Sequence, residues 1–226
     1  MKLAAIDVRN TASASDLIFD VLREAIFSGE LQDGEHLRQD RLAEMFNTSR
    51  IPVREALARL EQQGLVSNER YRGTTVLSLS PEEIKEIFEF RALLESDVIR
   101  HAVANISDET LARVKSFCDE FASEPDSAKW GDLNRNIHYT LYESAQRPYH
   151  LRIIKTTLDR IERYLRAQLA LTDGMERANR EHLGILQACI DRDADLASKR
   201  TREHILGASG SLISFLEQKE TDGNDG

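Results

Sequence analysis

The sequence contains no uninterrupted apolar run near the roughly 18–20 residues a bilayer span needs, so no transmembrane helix is expected. Its opening, MKLAAIDVRN, places Asp7 and Arg9 where a secretory signal would be apolar, and a soluble, cytoplasmic protein is the expectation. Cysteine is nearly absent. Cys118 and Cys189 stand in separate helical patterns without CxxC spacing, which excludes a disulfide framework or a zinc ribbon and leaves two buried, reduced thiols. Only 4 prolines and 11 glycines among 226 residues exclude collagen-like and low-complexity chains. Aromatics amount to 6%, too few for a typical sandwich or barrel, whereas Ala, Leu, Glu and Arg abound and favour helices. With 41% hydrophobic residues the chain can bury the core of one large or two small domains.

The net charge of -9 argues against a protein that coats nucleic acid without specificity, because phosphate binding needs cation clusters. The charge is unevenly spread. Between His36 and Arg72, the arginines 38, 41, 50, 54, 59, 70 and 72 outnumber Asp40, Glu44, Glu55, Glu61 and Glu69.

That basic stretch lies in a recognisable order of elements. Leu17, Ile18, Val21, Leu22, Ala25 and Ile26 recur at helical spacing after Ser15, a suitable N-cap, and stop at Gly29. A short helix fits Asp40 to Phe46, with Asn47 able to adopt the left-handed turn conformation. A third starts at Thr48 or Ser49, carries Pro52 in its first turn, buries Val53, Ala56, Leu57 and Leu60, and ends at Gly64. Leu65 to Ser67 and Thr74 to Leu77, around a polar turn from Asn68 to Gly73, read as a two-stranded hairpin. Three helices and a hairpin in about 65 residues describe a winged helix-turn-helix. Ser80-Pro81-Glu82-Glu83 then opens a run of helices expected at about 81–104, 108–122, 129–145, 148–172, 175–192 and 194–218. The expected fold is mostly α: an arm over 1–14, the winged helix over 15–78, an all-helical bundle over 79–219 and a disordered tail over 220–226.

Arg50 and Arg54, four apart on the third helix, project to one side of its apolar face. A helix docked end-on in a major groove uses such residues on base edges and phosphates. Thr48 and Ser49 can add hydroxyl or N–H contacts to phosphate, and Arg72 with Gly73 at the hairpin tip can reach the adjacent backbone or minor groove. An ordinary charged surface, with pairs such as Glu55 and Arg59, is the competing interpretation of arginines on a helix.

The segments Leu22-Arg23-Glu24-Ala25-Ile26, Leu42-Ala43-Glu44, Ser49-Arg50-Ile51-Pro52-Val53-Arg54-Glu55-Ala56-Leu57, Gly64-Leu65-Val66 and Arg72-Gly73 together resemble the DNA-binding domain of GntR-superfamily regulators. The resemblance implies that Arg50 and Arg54 approach operator DNA and that Gly73 is the wing glycine. Where relatives often carry a basic residue at the start of the second helix, this chain has Asp40 then Arg41, so Arg38 and Arg41 are alternatives for that phosphate.

A second constellation lies in the helical part. Asn134 and His138 are one turn apart; His182 shares a face with Ile185, Leu186 and Cys189; His204 shares one with Thr201, Ala208 and Ser211. Facing helices of a bundle can assemble such donors around an ion, although a lone histidine on an apolar face is usually a hydrogen-bonded core residue. His36, His101 and His150 have no converging partner. Residues 81–216 resemble the FCD-type ligand domain of the FadR branch, through Arg91-Ala92-Leu93-Leu94-Glu95, Glu181-His182 and His204. The resemblance implies a divalent metal held by Asn134, His138, His182 and His204. Imidazole donors suit zinc, with nickel or manganese as alternatives. Members of that branch usually have Asp where this chain has Asn134, so its site keeps the full +2 of the ion. Arg91 either holds an effector carboxylate or pairs with Glu95, four residues on.

Buried histidines also occur in metal-dependent hydrolases, but the sequence has no HExxH, GxSxG or GxxxxGK[ST] motif, and an enzyme leaves the winged helix unexplained. A regulator that binds an acyl ligand without metal is the other alternative. The expectation is a homodimeric transcription factor gripping a pseudo-palindromic operator and responding to a small organic acid.

Overall fold

The computed structural model describes residues 13–69, 73–171 and 174–224, and the chain divides into two compact units, Met1–Ser78 and Leu79–Gly226. The arm expected over 1–14 lies almost wholly outside the described residues.

In the first unit α1 spans Ala14–Phe27, and its cap is Ser13 rather than Ser15. The Ser13 hydroxyl accepts from the Asp16 N–H while the Asp16 carboxylate accepts from the Ser13 N–H, a reciprocal box that moves the start of the helix forward. After β1 (His36–Leu37), α2 (Gln39–Met45) is capped by Phe46 and followed by Asn47, whose φ of 47° is the left-handed turn expected of it. Next come α3 (Arg50–Gln62), β2 (Val66–Glu69) and β3 (Gly73–Val76). The expected hairpin is a three-stranded antiparallel sheet in the order β1-β3-β2, with Val66 opposite Val76 and His36 opposite Thr75. Two residues are too few for β1 to show alternation. It exists because β3 offers a free edge, to which the Gly34–Glu35 backbone also bonds at Val76. Leu22 and Ile26 of α1, Val53, Leu57 and Leu60 of α3, and Val66 and Val76 of the sheet form one core. Arg59 lies over the Phe19 ring at 4.0 Å and pairs with Asp16 at 2.6 Å, so it fastens α3 to α1.

The second unit is a helical bundle: α4 (Pro81–Val103), α5 (Asp108–Ser123), α6 (Trp130–Glu143), α7 (Pro148–Leu171), α8 (Gly174–Ile190) and α9 (Ala194–Asn224). Ser80 and Glu83 close a capping box with Pro81 at the first helical position. The last helix continues through most of the stretch expected to be a disordered tail, since no proline or helix-ending turn interrupts it before Asn224. The core contains Phe88, Ile99, Val114, Phe121, Ile137, Ile161, Ile185 and Ile205, all at most 1% exposed. Cys118 and Cys189 are buried free thiols, pushed up to about 11 and about 12 by that burial. A Cβ at Gly131 would stand 2.5 Å from Glu162 Oε1, so glycine there lets α6 close on a buried ion cluster in which Arg135 holds Asp159 and Glu162. Among the described residues no helix is long and apolar enough to cross a membrane.

Candidate DNA-reading face and metal centre

The α3 N-terminus presents its cations to solvent because Val53, Ala56, Leu57 and Leu60 consume the opposite face. Arg50 and Arg54 are exposed; Arg50 also pairs with Asp40. Ser49 is extended at the N-cap and spends no side-chain bond on the helix, while Thr48 is half-buried. His36, Leu37, Arg38, Gln39, Asp40, Arg50, Gly73 and Thr74 line one groove, which brings Arg38, Arg50 and the wing glycine together; Gly73 has φ +84°. Arg41 is exposed but does not line that groove, and Arg72 lies outside the described residues. Ile51, within the Ser49–Leu57 motif, is 58% exposed beside Arg50.

In the second unit α6, α8 and α9 bring His138, His182 and His204 together, with a ligating atom of each within 4.8 Å of the others. All three imidazoles are buried. His138 Nε2 and His182 Nε2 are 3.2 Å apart. Tetrahedral zinc with Zn–N bonds of about 2.0–2.1 Å sets its nitrogens roughly 3.3 Å apart, so this is the spacing of converging donors. Burial, reinforced by the neighbouring imidazoles and by Arg91, drives the His138 pKa well below its ordinary value; burial and His204 do the same to His182. Both are therefore neutral with a lone pair to give.

The surroundings orient the lone pairs of His138 and His204. The Tyr142 hydroxyl donates to Glu95 at 2.9 Å, leaving its oxygen to accept from His138 Nδ1 at 3.2 Å. That bond puts the His138 proton on Nδ1 and frees Nε2. Glu181 Oε2 lies 2.7 Å from His204 Nδ1 and selects the same tautomer there. His182 Nδ1 is buried without a hydrogen-bond partner, and its ring packs edge-on against Phe121. The convergence of three buried imidazoles, two of them held from behind in the donating tautomer, is what fits a divalent ion.

His138 and His204 open on a narrow cavity of about 20 Å³, room for little more than a water, which Arg91, Asn134, Leu165, Leu169, Arg177, Ala178, Ile205 and Ala208 also line. Asn134 thus shares a wall with two of the histidines expected beside it. Arg91 pairs with Glu95, its Nε donating at 2.7 Å with both residues buried, and its side chain also lines the cavity. Arg177 and Tyr142 were missed by sequence reasoning. The Arg177-Glu181 spacing, identical to Arg91-Glu95, was the clue to the first; nothing in the sequence singles out the second.

A winged helix with a presented recognition helix, carried in one chain with an all-helical unit, defines a DNA-binding transcriptional regulator. Residues 14–76 match the bacterial regulatory proteins of the gntR family and residues 86–207 match the FCD domain. The chain belongs to the GntR family, in the FadR-like branch that carries an FCD domain, and is a regulator rather than an enzyme. It is 26% identical over 222 residues, 94% of this chain and 89% of the relative, to the HTH-type transcriptional regulator BphR of Paraburkholderia xenovorans. To the HTH-type transcriptional repressor GlaR of Escherichia coli it is 28% identical over 198 residues, 82% of this chain and 89% of the relative. The solved structure of E. coli McbR/YncC shares the fold, with a TM-score of 0.74 and 22% identity over 93% of this chain and all of that one.

Proposed function

We propose that this DNA-binding regulator senses a small carboxylate at a metal ion in its helical unit, and that occupancy of that site sets its operator affinity. The observation that carries the reading is the buried triad of His138, His182 and His204 opening on a cavity that two guanidiniums also line. Asn134 and the three imidazoles would hold the ion, with zinc the first choice for such a donor set and nickel or manganese the alternatives. When bound, the ion supplies a positive centre that attracts an anionic ligand. The chain itself keeps His138 and His204 in the donating tautomer, screens the ion with Leu165, Leu169 and Ile205, and offers Arg91 to a carboxylate.

In the winged helix Arg50 and Arg54 would read base edges, with Thr48, Ser49, Arg38, Arg41, Arg72 and Gly73 placed for phosphates. Two protomers, paired through their helical units, would match the two halves of a pseudo-palindrome in the cytoplasm. A thermal-shift screen of carboxylates with and without zinc tests the sensing site. A true ligand raises the melting temperature by mass action only with metal present; stabilisation that ignores the metal would favour an acyl-ligand regulator without an ion.

A further inference from the structure

Asp40 stands where an acid works against DNA binding. It is exposed, it lines the same groove as Arg38, Arg50 and the wing glycine Gly73, and it is the one carboxylate among that groove's described lining residues. A surface that meets phosphates gains from each cation and loses from each anion. Its place in the first turn of α2 suits the helix dipole, a benefit that any acid in that turn would confer. Nor does its ion pair with Arg50 account for it as a stabiliser of the fold: the two side chains are 58% and 71% exposed, and pairs this wet contribute little to folding.

The atoms that meet give Asp40 a different role. Its Oδ1 engages Arg50 Nε, joining the start of α2 to the start of α3. A guanidinium held at Nε keeps the end-on pair of donors, Nη1 and Nη2, free, and that pair matches the O6 and N7 acceptors of a guanine. The contact therefore fixes the direction of the arginine without using its reading edge, and a side chain ordered in advance loses less freedom on binding. The carboxylate also makes the groove selective, since it repels phosphate oxygens that an unpaired arginine would hold on any sequence. Arg54, one turn further along α3, has no ion-pair partner among the described residues, so the two arginines differ in how far they are aimed beforehand.

We propose that Asp40 is a specificity-determining positioning residue: it aims Arg50 at a guanine of the operator, lowering general affinity for DNA while raising selectivity for that base. The inference rests on the reading of Arg50 as a base-contacting residue and adds which base it takes and what directs it there.

The test is in vitro selection from a random duplex pool with the full-length protein. Anisotropy titrations over a series of salt concentrations then compare the selected duplex, its single-base variants and an unrelated duplex. The unmodified protein should select a guanine in each half-site whose replacement by adenine weakens binding at least about 10-fold, and Arg50→Ala should erase that dependence. Asp40→Ala should reduce it to below about threefold and leave the other base preferences as they were. The same variant should bind the unrelated duplex several-fold more tightly, with a salt dependence steeper by about one ion, because Arg50 then acts as a free cation. Asp40→Asn, which keeps an acceptor oxygen in place without the charge, should keep part of the guanine preference and show the gain on the unrelated duplex. A guanine preference undiminished in Asp40→Ala would overturn the role of Asp40 and leave Arg50 as a reader. Equal weakening of both duplexes in Asp40→Ala would overturn it too, by showing that the carboxylate only supports the fold. A selected site with no guanine that depends on Arg50 would overturn both readings.

Discussion

Arg54 and Arg59 are five positions apart on one helix yet do different work. Arg54 is exposed and free of the core, whereas Arg59 lies on Phe19 and pairs with Asp16. Replacing Arg54 by Ala should therefore weaken operator binding, by about 1–3 kcal/mol if it reads a base edge, with melting temperature unchanged. Gel-shift titration at fixed salt measures this, and unchanged affinity would remove Arg54 from the reading face. Tyr142 is a positioning residue of another kind, only 1% exposed and acting through His138. Tyr142→Phe keeps the ring but leaves the His138 N–H without an acceptor, so zinc affinity should fall about 10- to 100-fold, the usual effect of losing a partner behind a metal ligand. Chelator competition reads the affinity, and nitrogen chemical shifts of the metal-free protein read the tautomer. A Phe variant with unaltered affinity and an unaltered Nδ1–H tautomer would show that the tyrosine only packs.

The histidines belong to α6, α8 and α9, so their protonation acts on the packing of three elements. His138 and His182 have folded pKa values well below the ordinary 6.5, with burial as the leading cause. In the unfolded chain they take up protons below about pH 6.5 while the folded chain refuses them, so their contribution to stability is complete above that pH and is lost as pH falls. The metal-free protein should lose up to about 1.4 kcal/mol per histidine for each pH unit below 6.5, measurable by urea denaturation between pH 7 and 5. His182→Ala should flatten that decline; a slope that the substitution leaves unchanged would mean the loss comes from other groups.

Helix limits were legible for related reasons. Ser80-Pro81-Glu82-Glu83 marks the α4 start through purely local bonds, and Asn47 announces its own turn. The N-cap of α1 was misplaced by two residues because Ser13 and Ser15 are both good caps, and only the reciprocal bond with Asp16 distinguishes them. The β1 strand was invisible because a two-residue strand has no period and owes its existence to β3, far along the chain.

At the level of the whole molecule, the winged helix was legible because its motifs are contiguous, from Leu42-Ala43-Glu44 to Gly64-Leu65-Val66. The proposed sensing site is spread over α4, α6, α7, α8 and α9, and only its histidines stood out. Arg177 was hidden among many helical arginines, and Tyr142 behind the ordinary use of tyrosine in a core; their roles come from the convergence of helices distant in sequence.

Ligand occupancy in the second unit should change what the first unit does on DNA. A coupling of about 1–3 kcal/mol is typical of such linkage and corresponds to a roughly 5- to 150-fold change in affinity. The direct measurement is fluorescence anisotropy of a labelled operator titrated with zinc-loaded protein, at fixed salt, with and without a saturating carboxylate found by thermal shift. The acid should alter operator affinity at least about fivefold, and His182→Ala should abolish that coupling. An affinity that the bound acid leaves unchanged would contradict it.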